Sequence, residues 1–328
     1  MPPEISLVIP IYNEAPNIEA LYGEITAALA QWGRTYEVLL IDDGSTDGSA
    51  ALLAALPARD ARFRIIRFRK NFGQTPAFSA GFAYARGKII ITSDGDLQND
   101  PKDIPMLVAR LEEGNDIVCG WRKDRKDTLV TRRIPSILAN KLISRATGVD
   151  LHDYGCSLKA FRSDVVKPLR LYGEMHRFIP AIASEFGVKV AEVVVNHRAR
   201  RAGTSKYGLS RTVRVVLDLI TVKYMLDYFA SPMKLFGRFG FACFAVAIVA
   251  GITTTAMKLV AAHDITGNPL TLLTVLGTIA AIQFFSLGLL GEVNARIYYG
   301  QQRRQNYAIR ELVNCGNAVD SSPIRRAA

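Results

Sequence analysis

The sequence predicts an α/β protein with a mostly parallel β-sheet and flanking helices, followed by interfacial helices and two transmembrane helices. Three observations predict this arrangement. Short apolar runs alternate with helix-like stretches through residues 1–196, which is typical of a parallel sheet covered by helices. Two long uncharged runs follow, at residues 239–257 and 265–291. Basic residues are concentrated on both sides of these two runs.

The composition excludes several classes of protein. Hydrophobic residues make up 49% and charged residues 22% of the 328 residues, which excludes a disordered chain. The four cysteines lie far apart and none forms a C-x-x-C pair, so we expect neither a disulfide framework nor a zinc knuckle. A reducing, cytosol-facing catalytic domain fits this pattern. Residues 1–11 lack the basic start of a secretory signal.

Strand and helix signals alternate in order along the first half of the chain. Short runs of β-branched and apolar residues predict five strands: Ile5–Ile11, Tyr36–Ile41, Arg64–Phe68, Lys88–Thr92 and Asp116–Gly120. The stretches between them predict four helices: Ala15–Trp32, Asp47–Leu56, Thr75–Ala85 and Asp103–Glu113. In an open sheet of this kind, ligands bind beyond the carboxyl ends of the strands. The loops at those ends are therefore the candidate site.

Acidic loops follow three of the predicted strands. They are Pro10–Glu14 after the first, Asp42–Asp47 after the second and Asp94–Gln98 after the fourth. Carboxylates packed together repel one another and raise each other's pKa, unless a divalent cation or donor groups hold them. An Asp-x-Asp sequence at a strand end suits Mg²⁺ or Mn²⁺, with a diphosphate filling other coordination positions. Taken alone the pattern also fits a turn or a helix cap, and Asp47 suits a cap.

Two common phosphate-binding motifs are absent from the sequence. No G-x-G-x-x-G follows the first strand, and no G-x-x-x-x-G-K-[ST] occurs in the chain. The chain therefore lacks the glycine-rich loops with which dinucleotide-binding proteins and P-loop NTPases usually bind phosphate. With four histidines and no cysteine cluster, a nitrogen- or sulfur-ligated metal has little support. Carboxylates, a metal ion and cations are left to hold a nucleotide.

The two uncharged runs predict a helical hairpin. Phe239–Met257 and Ile265–Gly291 reach roughly 28 and 40 Å as helices, against a hydrocarbon core of about 30 Å. Of the net charge of +11, residues 197–238 carry +7 and residues 292–328 carry +3. This distribution matches the cytoplasmic flanks of membrane helices, not the basic face of a nucleic-acid binder. Both ends are expected in the cytoplasm. A pair of buried helices in a soluble protein is the alternative.

The stretch before the hairpin has an amphipathic pattern. Within Leu209–Phe229, a set of polar side chains recurs at helical spacing: Arg211, Arg214, Asp218 and Thr221. Such a helix lies in the headgroup layer or packs on the soluble domain, and the pattern fits both. The expected organisation is a catalytic domain, interfacial helices, a transmembrane hairpin and a cytoplasmic C-terminal tail, at residues 1–208, 209–232, 233–298 and 299–328.

Six segments resemble a known family. They are, in order, Val8–Glu14, Asp42–Thr46, Asn71–Gln74, Asp94–Gln98, Asp153–Arg162 and Gly203–Tyr207. Together with the paired C-terminal helices they resemble the family 2 glycosyltransferases with the GT-A (Rossmann-like) fold, and among these the polyprenyl-phosphate glycosyltransferases. That group includes dolichol-phosphate mannose synthase, the bacterial undecaprenyl-phosphate glucosyltransferases and formamidoarabinose-transferring relatives.

The resemblance implies roles for residues of this sequence. It implies a nucleotide site at Pro10, Tyr12, Glu14, Asp42, Asp43 and Asp94. It implies a Mg²⁺ or Mn²⁺ site, which also meets the diphosphate, at Asp94, Asp96 and Gln98. It implies contacts with the acceptor phosphate at Arg122, Arg132, Arg201, Ser205 and Lys206, with Arg133 and Arg200 as alternatives one position away. The catalytic residues that it implies are Asp96 and Asp153.

The implied enzyme is an inverting glycosyltransferase that crosses the bacterial inner membrane, with both termini in the cytoplasm. It moves one sugar from a nucleotide-sugar donor, first of all UDP-glucose, to undecaprenyl or another polyprenyl phosphate. GDP-mannose and a UDP-aminopentose are alternative donors. The bilayer is a further partner, a homo-oligomer is left open, and nucleic acid is not expected. A processive polysaccharide synthase and a non-catalytic membrane scaffold compete with this interpretation. The chain lacks the Gln-x-x-Arg-Trp segment of the first, and its Asp94/Asp96 pair argues against the second.

Overall fold

The structure is a computed structural model of the chain. The residues that it describes are 2–123, 143–144, 147–171, 173, 175–184, 186–198, 221, 223–224, 227–228, 231–260, 267–300 and 306–315. The chain divides into two compact units, which are described separately. The first comprises Met1–Leu219 and Gln305–Ala328, and the second comprises Ile220–Arg304.

The first unit is built on a sheet that has eight strands in the described part of the chain. They are β1 (Ile5–Ile11), β2 (Tyr36–Asp42), β3 (Phe63–Phe68), β4 (Ile89–Thr92), β5 (Ile117–Trp121), β6 (Lys159–Arg162), β7 (Val190–Val194) and β8 (Ile309–Val313). Their order across the sheet is β7-β5-β6-β4-β1-β2-β3-β8. β1 runs parallel to both β2 and β4, whereas β6 and β8 run antiparallel to their neighbours. The predicted mostly parallel sheet is confirmed.

All five predicted strands are present, each within one residue of its predicted ends. The sequence pattern misses β6, β7 and β8. Strand β8 lies within the stretch 299–328 that the sequence predicts as a cytoplasmic tail: Ile309–Val313 pairs antiparallel with β3, with Val313 opposite Ile65. The reason is the position of β8 at the edge of the sheet. An edge strand needs only one row of backbone hydrogen bonds, so its side chains can be largely polar.

Helices follow the first four strands, as predicted. They are α1 (Ile18–Leu29), α2 (Ser49–Arg59), α3 (Gln74–Tyr84) and α4 (Ile104–Glu112), and two shorter helices follow later, α5 (Ser163–Val166) and α6 (Ile179–Ser184). The predicted helix at Ala15 begins instead with a 3-10 turn over Ala15–Asn17, which has a proline in its first turn. Helix α1 buries one stripe of side chains at helical spacing, namely Ile18, Leu21, Ile25 and Leu29.

The centre of the sheet is buried on both faces. Every residue of β2 is buried, and so is every residue of β1 except the half-buried Pro10. Continuous apolar strands of this kind occur where helices cover both faces of a parallel sheet. The loops at the carboxyl ends of β1 and β2 therefore start from well-packed backbone, which fixes the position of their side chains.

The second unit contains two long apolar helices, α7 (Pro232–Leu259) and α8 (Pro269–Gly300). Both are long and apolar enough to cross a membrane. Only 22% and 11%, respectively, of the most apolar 18-residue segment of each helix is buried. Core helices of a soluble protein would be mostly buried, so this exposure argues against that alternative. The helices approach closely at glycines: a Cβ on Gly277 would lie 3.0 Å from the Ala247 Cβ. Most of the predicted interfacial helices, 209–232, lie outside the described residues.

Candidate active site

The three acidic loops meet at one edge of the sheet, as the sequence predicts. Ile11 at the end of β1 is level with Asp42 at the end of β2, and Val8 is level with Thr92 at the end of β4. The strands β2, β1 and β4 are adjacent and parallel, so their carboxyl ends point the same way. This is the edge at which open α/β sheets bind ligands.

The loops after β1 and β2 are fastened to each other. The backbone N–H of Asn13 donates to Ser45 Oγ at 3.0 Å, and the N–H of Glu14 donates to Ser49 Oγ at 3.0 Å. Asn13 has a φ of 56°, a left-handed conformation that asparagine tolerates better than most residues. Asp47 accepts from the Ser49 N–H at 3.0 Å and from the Ala15 N–H at 3.0 Å, so it joins the loop after β1 to the start of α2. The N-cap of α2 is Gly48, which has no side-chain cap hydrogen bond, so Asp47 is not the cap residue itself.

Asp42 and Asp43 have different surroundings, although they are adjacent. The Asp43 carboxylate accepts from the backbone N–H groups of Phe72 at 2.7 Å and Gly73 at 2.9 Å. Burial raises the pKa of Asp43 to about 6, against the effect of these two donors, and the charge of Asp42 raises it further. Asp42 Oδ1 accepts from the Ser45 N–H at 2.8 Å. The other oxygen of Asp42 is buried and lies 3.4 Å from Arg67 Nε in an ion pair, but it accepts no hydrogen bond among the described residues.

The pair Asp94 and Asp96 forms the most acidic part of the edge. Burial raises the pKa of Asp94 to about 6, and the charge of Asp96 adds to this effect. A hydrogen bond from Ser157 and the charges of Arg122 and Arg177 act in the opposite direction. Two carboxylates that share a desolvated position favour binding of a cation, because the cation relieves their repulsion.

A strained residue fixes the turn between the two aspartates and Gln98. Leu97 has a φ of 61°, and its side chain is 3% exposed within the hydrophobic core. A bulky side chain in this region costs roughly 1–3 kcal/mol, so the surrounding packing must hold it there. The turn is closed by the backbone N–H of Gln98, which donates to Asp96 Oδ1 at 3.2 Å. Core packing of Leu97 therefore fixes the direction of the acidic turn.

Arg122 and Asp153, both implied at the acceptor side, form an ion pair. Arg122 Nε donates to Asp153 Oδ2 at 2.7 Å and Nη2 donates to Oδ1 at 2.9 Å. The backbone N–H of Gly155 donates to Asp153 Oδ1 at 3.1 Å. Burial by itself lowers the pKa of Arg122, but the hydrogen bonds and charge of Asp153 raise it above the ordinary value. The charge of Asp94 also raises it, which places Arg122 within electrostatic reach of the acidic pair.

Two family models match the sequence, and they match successive parts of it. The glycosyl transferase family 2 model covers residues 6–170, which is half of the chain. The model of the GtrB C-terminal hairpin covers residues 231–297. The chain belongs to glycosyl transferase family 2. The resemblance derived from the six sequence segments is therefore confirmed, and the chain is a glycosyltransferase of the group that carries a C-terminal helical hairpin.

Curated relatives of this family 2 glycosyltransferase match over nearly their whole length. Dodecaprenyl-phosphate galacturonate synthase of Rhizobium johnstonii is 44% identical, over 94% of this chain and 93% of the relative. Undecaprenyl-phosphate 4-deoxy-4-formamido-L-arabinose transferase is 38% identical in Shewanella sediminis, over 94% and 92%. The transferase of the same name in Yersinia pestis is 36% identical, over 98% of both chains. These relatives are polyprenyl-phosphate sugar transferases, as the sequence resemblance implies.

The fold is shared with a solved glycosyltransferase. Glucosyl-3-phosphoglycerate synthase from Mycobacterium tuberculosis, in complex with Mn²⁺, UDP and glucosyl-3-phosphoglycerate, matches with a TM-score of 0.53 at 21% identity. The match covers 68% of this chain and 80% of that one. The same synthase in complex with Mn²⁺ and UDP-glucose matches with a TM-score of 0.53 at 20% identity, over 67% and 79%. The predicted GT-A fold is confirmed.

Of the remaining sequence-predicted residues, four lie in the described part of the chain and four lie outside it. Pro10, Tyr12 and Glu14 are at the end of β1, where Tyr12 is 37% exposed and Glu14 Oε2 accepts from Asn17 Nδ2 at 2.6 Å. Gln98 is half-buried in the acidic turn. The other four implied acceptor-phosphate residues, Arg132, Arg201, Ser205 and Lys206, lie outside the described residues, as do Arg133 and Arg200.

The structure also shows contacts with Asp94 that the sequence motifs do not assign. Gln74 Nε2, in the first turn of α3, donates to Asp94 Oδ1 at 2.6 Å. Ser157 hydrogen-bonds with Asp94 and accepts from Asn99 Nδ2 at 2.8 Å. Gln74 and Ser157 both lie within segments that carry the family resemblance, which is the signal that points to them. Only the fold shows that they converge on one aspartate.

The described residues contain no group of three His, Cys, Asp or Glu side chains that could hold a metal ion. At the acidic edge, the described part of the chain offers the neighbouring carboxylates of Asp94 and Asp96 to a metal. A hard divalent cation accepts such oxygen ligands and fills its other positions with phosphate or water. These residues fit Mg²⁺ or Mn²⁺ bound together with a diphosphate.

Proposed function

We propose that this glycosyltransferase moves one sugar from a nucleotide-sugar donor to the phosphate of a polyprenyl phosphate at the membrane. The observation that carries the proposal is the convergence of two charge types at one sheet edge. The half-buried Asp94 and the buried Asp96 lie at this edge, and the half-buried cation Arg122 interacts electrostatically with Asp94. The pair suits a metal with a diphosphate, and the cation suits a second phosphate. A reaction between a nucleoside diphosphate sugar and a lipid phosphate requires both.

The donor side of the proposed site is formed by the loops after β1, β2 and β4. Asp94 and Asp96 would hold a divalent cation, with Gln98 nearby. When bound, that cation neutralises the negative charge that builds on the leaving diphosphate. The buried Oδ2 of Asp42 accepts no hydrogen bond among the described residues, although Arg67 Nε lies 3.4 Å away, so it has capacity for an N–H group of a nucleobase. Asp43 supports this site indirectly, because its carboxylate holds the Phe72–Gly73 backbone.

The acceptor side is formed around Arg122. A phosphate monoester is already anionic at neutral pH, so it needs positioning more than it needs a base. Asp153 is engaged with Arg122 through two hydrogen bonds, which suits an orienting role and does not suit proton abstraction. In-line attack of a phosphate oxygen on the anomeric carbon inverts its configuration. An α-linked donor would give a β-linked lipid phosphate sugar.

The sugar is proposed from the names of the relatives. The galacturonate synthase is 44% identical and the formamidoarabinose transferases are 36–38% identical over nearly full length. A UDP-linked uronate is therefore the first donor to test, followed by a UDP-linked formamido pentose. UDP-glucose, which the sequence analysis placed first, and GDP-mannose remain predictions for the same screen. Sugar choice rests on a few contacts in the pocket, so close relatives can differ in it.

The proposed location is the bacterial inner membrane, with both ends of the hairpin in the cytoplasm. The basic flanks at 197–238 and 292–328 support this orientation. Chain connectivity supports it as well. Strand β8, which follows the hairpin, belongs to the same sheet as the strands that precede it. This supports two crossings, in which the chain enters and leaves the membrane on the same side.

A donor screen with the full-length protein in detergent tests this function. The acceptor is undecaprenyl phosphate, and the donors are UDP-galacturonate, UDP-4-deoxy-4-formamido-L-arabinose, UDP-glucose and GDP-mannose, each with Mn²⁺, Mg²⁺ or EDTA. Mass spectrometry of the lipid should show one sugar per lipid, and EDTA should abolish it. Asp96→Asn should lower the rate by about 10³-fold or more, whereas the exposed control Asp164→Asn should not. Absence of lipid-linked sugar with every donor would contradict the proposal.

A further inference from the structure

We propose that Glu192, on strand β7, is a positioning residue for Arg122 and hence for the acceptor phosphate. The inference rests on the proposed function, in which Arg122 meets that phosphate. Glu192 is level with Cys119 of β5, two residues before Trp121 and three before Arg122. Its side chain is 11% exposed, so its carboxylate is held away from bulk water. The family resemblance implies no role for Glu192.

The Glu192 carboxylate binds the start of the segment that carries Asp153. Its Oε1 accepts from the backbone N–H groups of His152 at 2.9 Å and Asp153 at 3.1 Å. Its Oε2 lies 2.8 Å from His152 Nδ1. A carboxylate that accepts backbone N–H groups forms charge-assisted hydrogen bonds, which are stronger than neutral ones. Glu192 therefore fixes the backbone of residues 152–153 against β7.

Asp153 transmits this placement to Arg122. Its two carboxylate oxygens accept from Arg122 Nε and Nη2, and they thereby set the plane of the guanidinium group. A guanidinium group has five N–H donors in a fixed fork, and Asp153 occupies one edge of it. A phosphate must then be bound by the opposite edge. A rotation of Asp153 would turn that edge away, which weakens phosphate binding without removing the cation.

Trp121, which contacts this segment, can report on binding at Arg122 through its fluorescence. The His152 ring stacks on Trp121, with ring centroids 4.2 Å apart and an angle of 18° between the planes. Trp121 is adjacent to Arg122, and the only other tryptophan of the sequence is Trp32. A Trp32→Phe background therefore makes the fluorescence of Trp121 a local measure of binding at Arg122. This readout does not require sugar transfer.

The experiment titrates the full-length Trp32→Phe protein in detergent with farnesyl phosphate and follows Trp121 fluorescence. Glu192→Gln keeps the side-chain size and one acceptor oxygen for the backbone N–H groups, but it removes the negative charge that strengthens these hydrogen bonds and the second acceptor oxygen beside His152. We expect about tenfold weaker binding of farnesyl phosphate, with UDP binding in the presence of Mn²⁺ changed by about twofold or less. Farnesol and inorganic phosphate, titrated separately, distinguish the prenyl contribution from the phosphate contribution.

Two further variants separate positioning from a general structural effect. Glu112→Gln removes an exposed ion pair with Arg34 and should leave both affinities unchanged. His152→Ala keeps the backbone N–H groups that Glu192 binds, so farnesyl phosphate affinity should stay within about twofold. Where Glu192→Gln does not fold, Glu192→Asp withdraws the carboxylate by one methylene. It should weaken farnesyl phosphate binding selectively, with UDP binding retained.

The inference is overturned if Glu192→Gln or Glu192→Asp binds farnesyl phosphate as tightly as the parent, or if it weakens UDP binding to the same extent. It is also overturned if the parent protein shows no binding of farnesyl phosphate at Trp121. The proposed function has its own test, because the donor screen measures lipid-linked sugar directly. Product formation by the parent together with unchanged acceptor affinity in Glu192→Gln would leave the function standing and remove only this role.

Discussion

The side-chain amide of Gln74 donates a hydrogen bond of 2.6 Å to Oδ1 of Asp94, which joins the first turn of α3 to the acidic loop after β4. A donor at this distance stabilises the ionised form of a carboxylate. Asp94 needs such support, because burial and the charge of Asp96 raise its pKa to about 6. Gln74 therefore helps to keep the proposed metal ligand charged at neutral pH.

Gln74→Ala should weaken binding of the metal ion without abolishing catalysis. Loss of a hydrogen bond to a charged group is worth about 1.5–3 kcal/mol, so the apparent KM for Mn²⁺ should rise at least about tenfold. The kcat at saturating metal should stay close to that of the parent. Steady-state rates over a range of Mn²⁺ concentrations measure both. Gln31→Ala, at an exposed position, is the matched control. A lower kcat with an unchanged KM for Mn²⁺ would show that Gln74 acts elsewhere.

Gly44→Ala should disturb the nucleotide side of the site, and Gly33→Ala provides a matched comparison. Both glycines have a positive φ, 73° and 72°. An added Cβ at Gly44 would lie 2.5 Å from the backbone carbon of Lys70, whereas Gly33 has nothing within 4 Å. Each substitution costs roughly 1–2 kcal/mol for its conformation. Only Gly44→Ala should also displace the 70–73 backbone that Asp43 holds, and thereby weaken UDP binding by about tenfold or more.

UDP titrations and thermal unfolding of the two glycine variants measure these effects. Gly33→Ala should lower the unfolding temperature slightly and leave UDP affinity unchanged. Equal UDP affinities in the two variants would show that contact between the loops after β2 and β3 is not needed for nucleotide binding.

The parts of the fold that could be predicted from the sequence are those set by local pattern. Strands β1, β2 and β4 are short, mostly apolar runs followed by acidic turns, so their type, their limits and their shared edge follow from composition and from the geometry of parallel sheets. The family motifs then placed the candidate residues, since they mark the same loops.

The parts that could not be predicted depend on contacts distant in the sequence. Strand β6 has four residues and its Lys159 is buried, because the Lys159 Nζ donates to the Tyr154 carbonyl at 3.2 Å. A sequence pattern gives no sign of that partner. The ion pair of Arg122 with Asp153 joins residues 31 positions apart, so spacing cannot reveal it. The role of Gln74 toward Asp94 has the same origin.

The pH dependence of stability should reveal the buried carboxyl of Asp43. Its pKa is about 6 in the folded chain, mainly because of burial, against 3.8 for an ordinary Asp. The folded state therefore binds the proton more tightly than the unfolded state. Proton binding at Asp43 therefore adds to the free energy of unfolding most strongly below pH 4. This contribution, about 3 kcal/mol, is lost as the pH rises to about 6.

Asp43→Asn removes this titration and gives the test. The free energy of unfolding of the detergent-solubilised protein is measured by urea titration from pH 4 to pH 7. The stability of the parent relative to Asp43→Asn should fall by up to about 3 kcal/mol across this range. Asp164→Asn, at an exposed position, should stay parallel to the parent. A parallel curve for Asp43→Asn would mean that Asp43 has an ordinary pKa.

The residues after the hairpin are bound to the catalytic sheet by several independent contacts. Asn314 Nδ2 donates to the carbonyl oxygens of Ala61 at 2.8 Å and Phe63 at 2.9 Å. The ring of Tyr307 stacks on Phe68, with centroids 5.2 Å apart. Together with the β3–β8 ladder, these contacts cover an edge that would otherwise present unpaired backbone groups to solvent.

Two truncations test whether β8 is part of the catalytic unit and not a dispensable tail. A chain that ends at Gln305 lacks β8 and the contacts of Tyr307 and Asn314, whereas a chain that ends at Cys315 keeps them. The first should lower the unfolding temperature by on the order of 10 °C, since loss of several kcal/mol in a unit of this size has that effect. It should also aggregate, because the edge of β3 becomes available to another chain. The second should unfold at the parent temperature. Equal stability of the two truncated chains, measured by thermal unfolding in detergent, would show that the sheet is stable with β3 as its edge strand and does not need β8.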